Sequence, residues 1–266
     1  MELAASKRED LTQAVAAIRG RFGAASLATG TASAARLPED EAGGVPTGIP
    51  ELDGLTPAAG FPYGRLSLLV GAPGAGRMSL VYRLLAEATQ ATAVSLFLDL
   101  REHADPWLMQ RLGARLDRLV VLRGELTPSL EAAVALVRAG AGCVAVDLPP
   151  GAGRSAAWDP QAQALAAACA RERACCVIGT EAQGEPLAYA SSLTLRLRRR
   201  AWTWRHGDVD GVRVAATVEK SKLSLPGAAV EFEVPYPRGV FMPPAGLVAK
   251  AGAAPEAAPG GLRLAV

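Results

Sequence analysis

A glycine-rich turn between an apolar run and a helical pattern limits this chain to few folds. The run LSLLV is followed by the turn GAPGAGRMS, residues 71–79. This is the strand–loop–helix setting of the phosphate-loop pattern G-x-x-x-x-G-K-[ST]. Gly71, Gly74 and Gly76 let backbone N–H groups curl around a phosphate, and the helix start adds partial positive charge. We therefore expect a phosphate-loop fold, and a glycine-rich turn with no nucleotide function is the alternative.

Two residues that define this loop are replaced. Arg77 stands where a lysine contacts the β- and γ-phosphates, and Met78 stands where a hydroxyl group binds Mg²⁺. Arginine keeps the charge but is a planar fork, and methionine lacks the oxygen that Mg²⁺ requires. Ser79 is one residue late and points about 100° away on a helix. The loop is expected to have lost efficient hydrolysis. The sequence assigns no cofactor, and ATP with Mg²⁺ is the candidate ligand of this loop.

A candidate second carboxylate site lies at the end of another apolar run. The segment CVAVD places Asp147 at the end of a strand, which is the pattern that holds Mg²⁺ through water in phosphate-loop enzymes. A strand-end aspartate that only begins a turn is an equally good interpretation. Asp147 is thus the one metal candidate, and only through water.

The spacing of apolar residues predicts an α/β fold. Strand-like runs occur at 66–70, 93–98, 119–122, 142–147 and 174–179, with helical windows between them at 78–90, 105–116, 128–139 and 159–172. Continuous apolar strands separated by helices indicate a mostly parallel, twisted sheet with helices on both faces. After residue 191 the apolar period becomes two, around 193–197, 212–218 and 230–234, which predicts three antiparallel strands closing the sheet.

The two ends of the chain differ from this core. Residues 7–22 carry an apolar stripe at i, i+4, i+7 and i+11, which predicts one amphipathic helix. The stripe consists of Leu11, Val15, Ile18 and Phe22. With a short strand near Leu27, this helix makes residues 1–30 a unit for oligomerisation or partner docking. We expect a linker at 31–46, the core at 47–242, and a disordered Pro/Ala-rich tail at 243–266. The apolar end GLRLAV is either a peptide for a partner, such as a sliding clamp, or a stray terminus.

Charge and cysteine content exclude several classes of protein. Twenty-eight Lys and Arg against 26 Asp and Glu leave a net charge of +2, too small to indicate nucleic-acid binding by itself. The four cysteines form no C-x-x-C pair and have no histidine at ligand spacing, so we expect reduced core residues and no zinc site. The charged start is unlike a signal peptide, and no run of about 18 apolar residues occurs. We expect a bacterial cytoplasmic protein without a membrane partner.

Several segments together resemble the bacterial RecA recombinase family. REDLTQAVAAIRGRFG and ASLATG resemble the N-terminal helix of that family and the short strand that docks on a neighbouring subunit. VPTGIPELDGLTPAAGFPYGRLSLLVGAPGAGR is similar to the approach to its phosphate loop, and FLDLREHADPWLMQRLG to the segment after its second strand. LAYASSLTLRLRRR and VEKSKLSLPGAAVEFEVPYPRGV are similar to the end of its core. The resemblance implies a RecA-like phosphate-loop core preceded by an N-terminal helix.

The chain departs from this family at the positions that act on ATP and DNA. The water-activating glutamate of the family falls on Arg101, and Glu102 takes that role only after a one-residue shift. Glu181 replaces the glutamine that senses the γ-phosphate, where a carboxylate repels phosphate. No catalytic residue is therefore assigned, and Glu102 and Glu181 are the candidates. The two DNA-gripping loops are shortened to 149–158 and 182–186, and we expect the Pro/Ala-rich tail to stand in place of the family's C-terminal DNA-binding domain.

Two basic features are further candidates. Lys220 and Lys222 match the pair that, in the family, reaches a neighbouring subunit's nucleotide; two exposed strand lysines are the equally good alternative. A basic, aromatic stretch can hold single-stranded DNA through phosphate contacts and stacking, or can be a solvated edge strand. Its candidate residues are Arg196, Arg198, Arg199, Arg200 and Trp202.

A RecA-like core with these changes resembles ImuA, the RecA-related accessory factor of mutagenic translesion synthesis in the SOS response. The resemblance implies a DNA-repair scaffold without ATP hydrolysis. It implies an ImuB-like Y-family polymerase relative and a DnaE-type polymerase as partners, with RecA, self-association or single-stranded DNA as further contacts. Two alternatives stay open: a divergent ATP-dependent recombinase stimulated by single-stranded DNA, and a regulator that binds nucleotide without hydrolysing it.

Overall fold

Most of the predicted core is described in the computed structural model. The structure describes residues 43–154, 159–236 and 263–265, together with Gln13. The chain divides into two units, Met1–Asp40 and Glu41–Val266, and the elements below belong to the second. Within the described residues, no helix has the length and apolar character needed to cross a bilayer. The predicted docking residues Leu11, Val15, Ile18, Phe22 and Leu27 lie outside the described residues.

Eleven strands and six helices follow one another through the described core. In chain order they are β1 (Gly44–Val45), α1 (Pro50–Asp53), β2 (Phe61–Pro62), β3 (Leu66–Gly71), α2 (Arg77–Ala91), β4 (Ser95–Asp99), α3 (Pro106–Arg111), β5 (Leu119–Arg123), α4 (Leu126–Arg138), β6 (Cys143–Asp147), α5 (Asp159–Glu172), β7 (Cys175–Thr180), α6 (Glu185–Ala190), β8 (Leu193–Arg205), β9 (Asp208–Ser221), β10 (Ala229–Pro235) and β11 (Arg263–Ala265).

A nine-stranded sheet organises these elements, in the order β10-β9-β8-β3-β7-β6-β4-β5-β11. The six adjacent strands from β8 to β5 run parallel, and β9, β10 and β11 add antiparallel pairings. The predicted α/β class, with a mostly parallel sheet and antiparallel C-terminal strands, is confirmed. One detail differs: β8 is antiparallel to β9 but parallel to β3, so it joins the two parts of the sheet.

Both faces of the parallel strands are buried, which explains why their sequences are continuously apolar. Leu69 of β3 faces a cluster that contains Leu84 of α2, whereas Leu68 faces a second cluster that contains Leu130 of α4 and Leu165 of α5. Successive strand residues point to opposite faces, so helices on both sides cover every position of the four inner strands β3, β4, β6 and β7. Burial of each such aliphatic side chain stabilises the fold by about 1.5–3 kcal/mol. The four cysteines are buried in the same clusters and form no disulfide.

The predicted helix at 105–116 is shorter than expected. Asp105 caps its start by accepting a hydrogen bond from the Leu108 N–H at 2.9 Å, and Pro106 occupies the first turn. The helix ends at Arg111 because Gly113 takes a left-handed backbone with φ of 101°. The predicted stripe continues into a single 3₁₀ turn, Leu116–Arg118, which leads into β5.

The antiparallel strands β8 and β9 extend well beyond the predicted segments. Buried residues alternate in the part of this hairpin that lies in the core: Leu193, Leu195 and Leu197 of β8 share one cluster with Val214, Ala216 and Val218 of β9. From Arg198 to Val209 every position except Thr203 is exposed, so the end of this hairpin projects from the core.

The last described residues correct part of the prediction for the tail. Residues 243–266 were expected to be disordered, yet Arg263–Ala265 forms β11 and pairs antiparallel with Arg123–Val121 of β5. The backbone groups on the outer side of β5 need partners, and an extended segment at the chain end supplies them. The tail residues before β11 lie outside the described part of the chain.

Candidate functional site

The phosphate-loop candidate has the backbone that its glycines predict. Gly74 and Gly76 have φ of 74° and 83°, a region that glycine enters without strain. The Ala75 N–H donates to the Ala72 carbonyl at 3.1 Å, which closes the turn, and Gly76 caps the start of the 15-residue helix α2. The loop therefore joins β3 to a helix N-terminus, as in a phosphate-binding loop.

Arg77 points into the protein and not toward a ligand outside the loop. Its guanidinium Nη1 donates to the Gly71 carbonyl at 2.7 Å, and its Nη2 lies 3.4 Å from Asp147 Oδ1. The side chain is only 5% exposed. Its stem packs on β7, where Gly179 leaves room: a Cβ at that position would lie 3.1 Å from Arg77 Cδ. The loop cation and the strand-end carboxylate thus neutralise each other.

Asp147 is buried at the end of β6 and faces two arginines. Besides Arg77, Arg101 places its Nε 4.0 Å from Asp147 Oδ2. Oδ2 accepts no hydrogen bond from any group in the described ranges. Burial raises the pKa of the Asp147 carboxyl, and the two guanidinium groups offset part of that rise. A carboxylate with one unsatisfied oxygen is held in place by ion pairs and not by a complete hydrogen-bond network.

Of the two residues that compete for the family's water-activating position, Arg101 is the one that faces the site. Its Nη1 lies 3.9 Å from Glu181 Oε1, so it bridges Glu181 and Asp147. Glu102 is exposed and has a left-handed φ of 56°. The second carboxylate candidate, Glu181, therefore lies at the site, and Glu102 does not.

The residues at this position do not fit a Mg²⁺–triphosphate. Mg²⁺ needs oxygen ligands, and Met78 offers a thioether that packs partly buried against the core. Asp147 already faces Arg77 at ion-pair distance, and a divalent cation beside that guanidinium meets repulsion. Among the described residues, no cluster of three or more His, Cys, Asp and Glu side chains is placed to hold a metal ion.

A cleft of about 490 Å³ opens on the outer side of the loop. It is lined by Gly71, Ala72, Pro73, Ala75, Glu181, Arg196, Leu197, Arg198 and Arg199. Arg199 lies against the loop, because a Cβ at Gly74 would be 2.6 Å from its Nη1. Its guanidinium carbon is also 4.6 Å from the centre of the Trp202 ring, a cation–π contact. The cations on the outer side of the loop therefore come from β8.

Comparison with known proteins identifies the family. The model of the RecA N-terminal domain matches residues 9–149, more than half of the chain. The chain belongs to the RecA family. RecA of Aquifex pyrophilus is 27% identical over 267 residues, with 88% of this chain and 76% of the relative covered. RecA of Thermus thermophilus is 28% identical over 269 residues, covering 88% and 78%. RecA of Geobacter metallireducens is 29% identical over 238 residues, covering 77% and 69%.

The two lysines that resemble the RecA trans-acting pair have different surroundings. Lys220 donates from Nζ to the Ala188 carbonyl and lies 3.5 Å from the Tyr189 carbonyl, at the end of α6. Burial lowers the pKa of the Lys220 ammonium, and the nearby Lys222 charge lowers it further. Lys222 is exposed. Lys220 therefore stabilises the C-terminal end of α6 within its own chain, whereas the side chain of Lys222 faces solvent.

The basic stretch of β8 is partly neutralised by acids from neighbouring strands. Arg196 pairs with Glu219 of β9, its Nη2 lying 2.9 Å from Oε2, and Arg200 pairs with Glu231 of β10 at 2.8 Å. Because these acids lie on other strands, the sequence of the stretch alone does not show that two of its arginines are paired. Arg198 is exposed and has no acidic partner in the described part of the chain. The cations left for an anionic ligand are Arg198 and Arg199.

One residue that shapes the site was not singled out from the sequence. Asp99 ends β4 beside Asp147 and is fully buried. It accepts hydrogen bonds from the His103 and Ala104 N–H groups at 2.7 and 2.9 Å and from Arg123 Nε at 3.0 Å. The sequence feature that could have indicated Asp99 is the same as for Asp147, an apolar strand that ends in aspartate. Asp99 fixes the turn that carries Arg101.

Proposed function

We propose that this protein is a RecA-like DNA-repair accessory factor that does not hydrolyse ATP and acts as a scaffold in SOS translesion synthesis, as ImuA proteins do. The observation that supports it is the buried contact between Arg77 and Asp147, 3.4 Å apart. In a working RecA site, the residues at these two positions would contact phosphate and Mg²⁺. Here Arg77 and Asp147 contact each other.

Electrostatics at the γ-phosphate position support the same proposal. Glu181 lies beside the loop cleft and within 3.9 Å of Arg101. Catalysis of phosphoryl transfer depends on positive groups around the transferred phosphoryl, so an added carboxylate works against it. Loss of the metal hydroxyl and the addition of this anion each cost about 2–4 kcal/mol of transition-state stabilisation, or roughly 30- to 1,000-fold in rate.

Hydrolysis of ATP tests the first half of the proposal. The purified protein is expected to show no turnover, with or without single-stranded DNA. Turnover that rises with single-stranded DNA and disappears in Asp147→Ala, but persists in the exposed control Asp117→Ala, would establish the recombinase alternative instead. The nucleotide-binding regulator predicts a third pattern, a thermal shift with ATP and no turnover.

Association with polymerase factors tests the second half. The expected partners are an ImuB-like polymerase relative and, through it, a DnaE-type polymerase, docked on residues 1–30. In a pull-down with the purified ImuB-like protein, deletion of residues 1–30 should abolish binding, and Ile18→Asp should weaken it at least tenfold. Gln13→Ala is the matched control, because Gln13 is an exposed helical residue. Undiminished binding by the truncated protein would rule out this docking mode.

Direct contact with single-stranded DNA is the second part of the proposal. The supporting observation is that Arg198 and Arg199 keep no ion pair in the described ranges while Trp202 lies beside them. Backbone contacts and stacking on tryptophan are the interactions that single strands offer. Arg198→Ala with Arg199→Ala should reduce binding of a fluorescent oligonucleotide at low salt several-fold, and Arg171→Ala, on the exposed end of α5, should not.

A further inference from the structure

Strand β8 is paired along only part of one side. Its partner β9 follows it over the full length of β8, Leu193–Arg205. On the opposite side, the pairing with β3 ends where Leu197 lies across from Gly71, because β3 leads there into the phosphate loop. Among the described strands, only β3 and β9 are neighbours of β8. The backbone groups of residues 198–205 on the side of β3 are therefore an open edge, to which another strand can add.

The phosphate loop leaves room beside the start of this edge. The cleft of about 490 Å³ is lined by Arg198 and Arg199 from β8 and by Pro73 from the loop. Glu181 also lines the cleft, and its charge is offset by Arg101, whose Nη1 lies 3.9 Å from Glu181 Oε1. The loop therefore does not cover the start of the edge.

The same segment carries an exposed apolar patch on one face. Trp202, Trp204 and Val209 are 37%, 63% and 41% exposed, and they are three of the five exposed large apolar residues in the described ranges. Val209 lies directly opposite Trp204, so these two side chains share a face. Trp202 is two positions before Trp204 on the strand, which places it on that face as well. These three residues form the tryptophan patch.

Two arginines without acidic partners lie at the start of the open edge. Arg199 lies opposite Val214 and Trp202 opposite Val212, and both valines belong to one core cluster, so Arg199 shares the face of the tryptophan patch. Its guanidinium carbon is 4.6 Å from the centre of the Trp202 ring. Arg198 is exposed, and neither arginine has an acidic partner within the described ranges. The edge is therefore cationic at its start and apolar toward its end.

Protection against aggregation explains the arginines of this edge but not its tryptophans. Charged residues keep other strands away from an edge, whereas tryptophan next to arginine is typical of protein interfaces. Single-stranded DNA can use the arginines and stack on a tryptophan, but it has no peptide groups that continue a β-ladder. An extended peptide uses the ladder, the apolar patch and the cations together. The open edge therefore favours a peptide as the ligand.

We propose that the open edge of β8, residues 198–205, binds an extended peptide segment of a partner protein, which joins the sheet as a strand in line with β3. Charge complementarity defines the ligand. It carries carboxylates at the end beside Arg198 and Arg199, and large apolar side chains at the end beside the tryptophan patch. This inference goes beyond the scaffold proposal, which places the polymerase factors on residues 1–30, because it needs neither that segment nor ATP.

Fluorescence anisotropy with synthetic peptides tests the added strand on the full-length protein. The labelled probe has the sequence Asp-Asp-Asp-Leu-Thr-Leu-Thr-Leu, and its reversed sequence covers the other strand direction. The control peptide has the same side chains but carries N-methyl groups on the peptide nitrogens of its apolar half, so it lacks the ladder donors. The better-binding of the two probes is expected to bind in the micromolar range, and its N-methylated form at least tenfold more weakly.

Variants of the protein test the chemistry of the ligand. Trp204→Ala and Arg199→Ala should each weaken binding of the probe several-fold. Leu225→Ala is the matched control, because it removes an apolar side chain that is 87% exposed but lies outside the tryptophan patch, and it should bind as wild type does. Equal losses in Trp204→Ala and Leu225→Ala would overturn the assignment of the patch.

Three further results would overturn the proposal. Equal binding of the probe and its N-methylated form would exclude strand addition. A thymidine oligonucleotide that binds this edge while neither peptide does would assign it to DNA. Self-association of the protein alone, seen by sedimentation velocity and abolished by Trp204→Ala, would assign the edge to a second copy. Because the peptide assay uses neither ATP nor a polymerase factor, its failure is distinguishable from failure of the scaffold proposal.

Discussion

Replacing Arg77 with methionine isolates the energetic role of its contact with Asp147. Methionine keeps the unbranched stem that packs on Gly179, so the substitution removes the guanidinium with little loss of packing. The Asp147 carboxylate, 1% exposed, is left with Arg101 at 4.0 Å as its remaining cationic neighbour in the described residues. Breaking a buried ion pair on one side costs about 3–5 kcal/mol. Because Arg101 remains, we expect the lower end, about 3 kcal/mol.

The pH dependence of this loss has a definite sign. Burial already raises the pKa of Asp147 above its ordinary 3.8, and removal of Arg77, which opposes that rise, raises it further. A raised pKa means that the folded state holds the proton more tightly than the unfolded chain, so protonation favours folding at acid pH and this contribution is lost as pH rises through the raised pKa. The cost of Arg77→Met should therefore be full at pH 8 and shrink as the pH falls toward 3.8.

Urea unfolding followed by circular dichroism, at pH 8 and at pH 5, measures this loss. A loss of about 3 kcal/mol corresponds to roughly 6–12 °C in Tm for a domain of this size. The double variant Arg77→Met with Asp147→Asn should recover most of the stability, because no buried charge is then left unpaired. If Arg77→Met is as stable as wild type at pH 8, or if the double variant is less stable than either single one, then Arg77 does not stabilise the buried Asp147 charge.

Two further substitutions test the supports of the site. Asp99→Asn should lower the free energy of unfolding in urea by about 2 kcal/mol, because the charge-assisted bond from Arg123 is lost while the buried backbone donors remain. Unchanged stability would show that these bonds do not hold the turn. Lys220→Met should lower the free energy of unfolding by about 0.5–1 kcal/mol and speed hydrogen exchange in α6, because Lys220 caps the C-terminal carbonyls of that helix. Lys222→Met should do neither, and equal effects would remove the distinction between the two lysines.

The parts of the fold that follow local rules could be predicted from the sequence. The run LSLLV and the turn after it predicted β3, the loop and α2, because periodicity and glycine placement act over a few residues. Period-two alternation likewise predicted the buried halves of β8 and β9. The end of α3 was missed, because the apolar stripe continues past Gly113 although its backbone turns there.

The arrangement of charges could not be predicted in the same way. Arg77 and Asp147 are 70 positions apart, and only the parallel order of β3, β7 and β6 brings them together. The replacement of lysine by arginine was visible in the sequence, but the close packing of its stem on Gly179, which has no Cβ, was not. The acids that neutralise Arg196 and Arg200 lie on neighbouring strands for the same reason.

Binding of Mg²⁺–ATP, measured by isothermal titration calorimetry, tests most directly the claim that the contact between Arg77 and Asp147 replaces contacts with phosphate and Mg²⁺. We predict no binding of wild type tighter than about millimolar, which is about −4 kcal/mol, in the presence of Mg²⁺. Restoring the loop pattern with Arg77→Lys and Met78→Thr together should tighten binding at least tenfold. Wild-type binding in the micromolar range that depends on Mg²⁺ and is lost in Asp147→Ala would contradict the account.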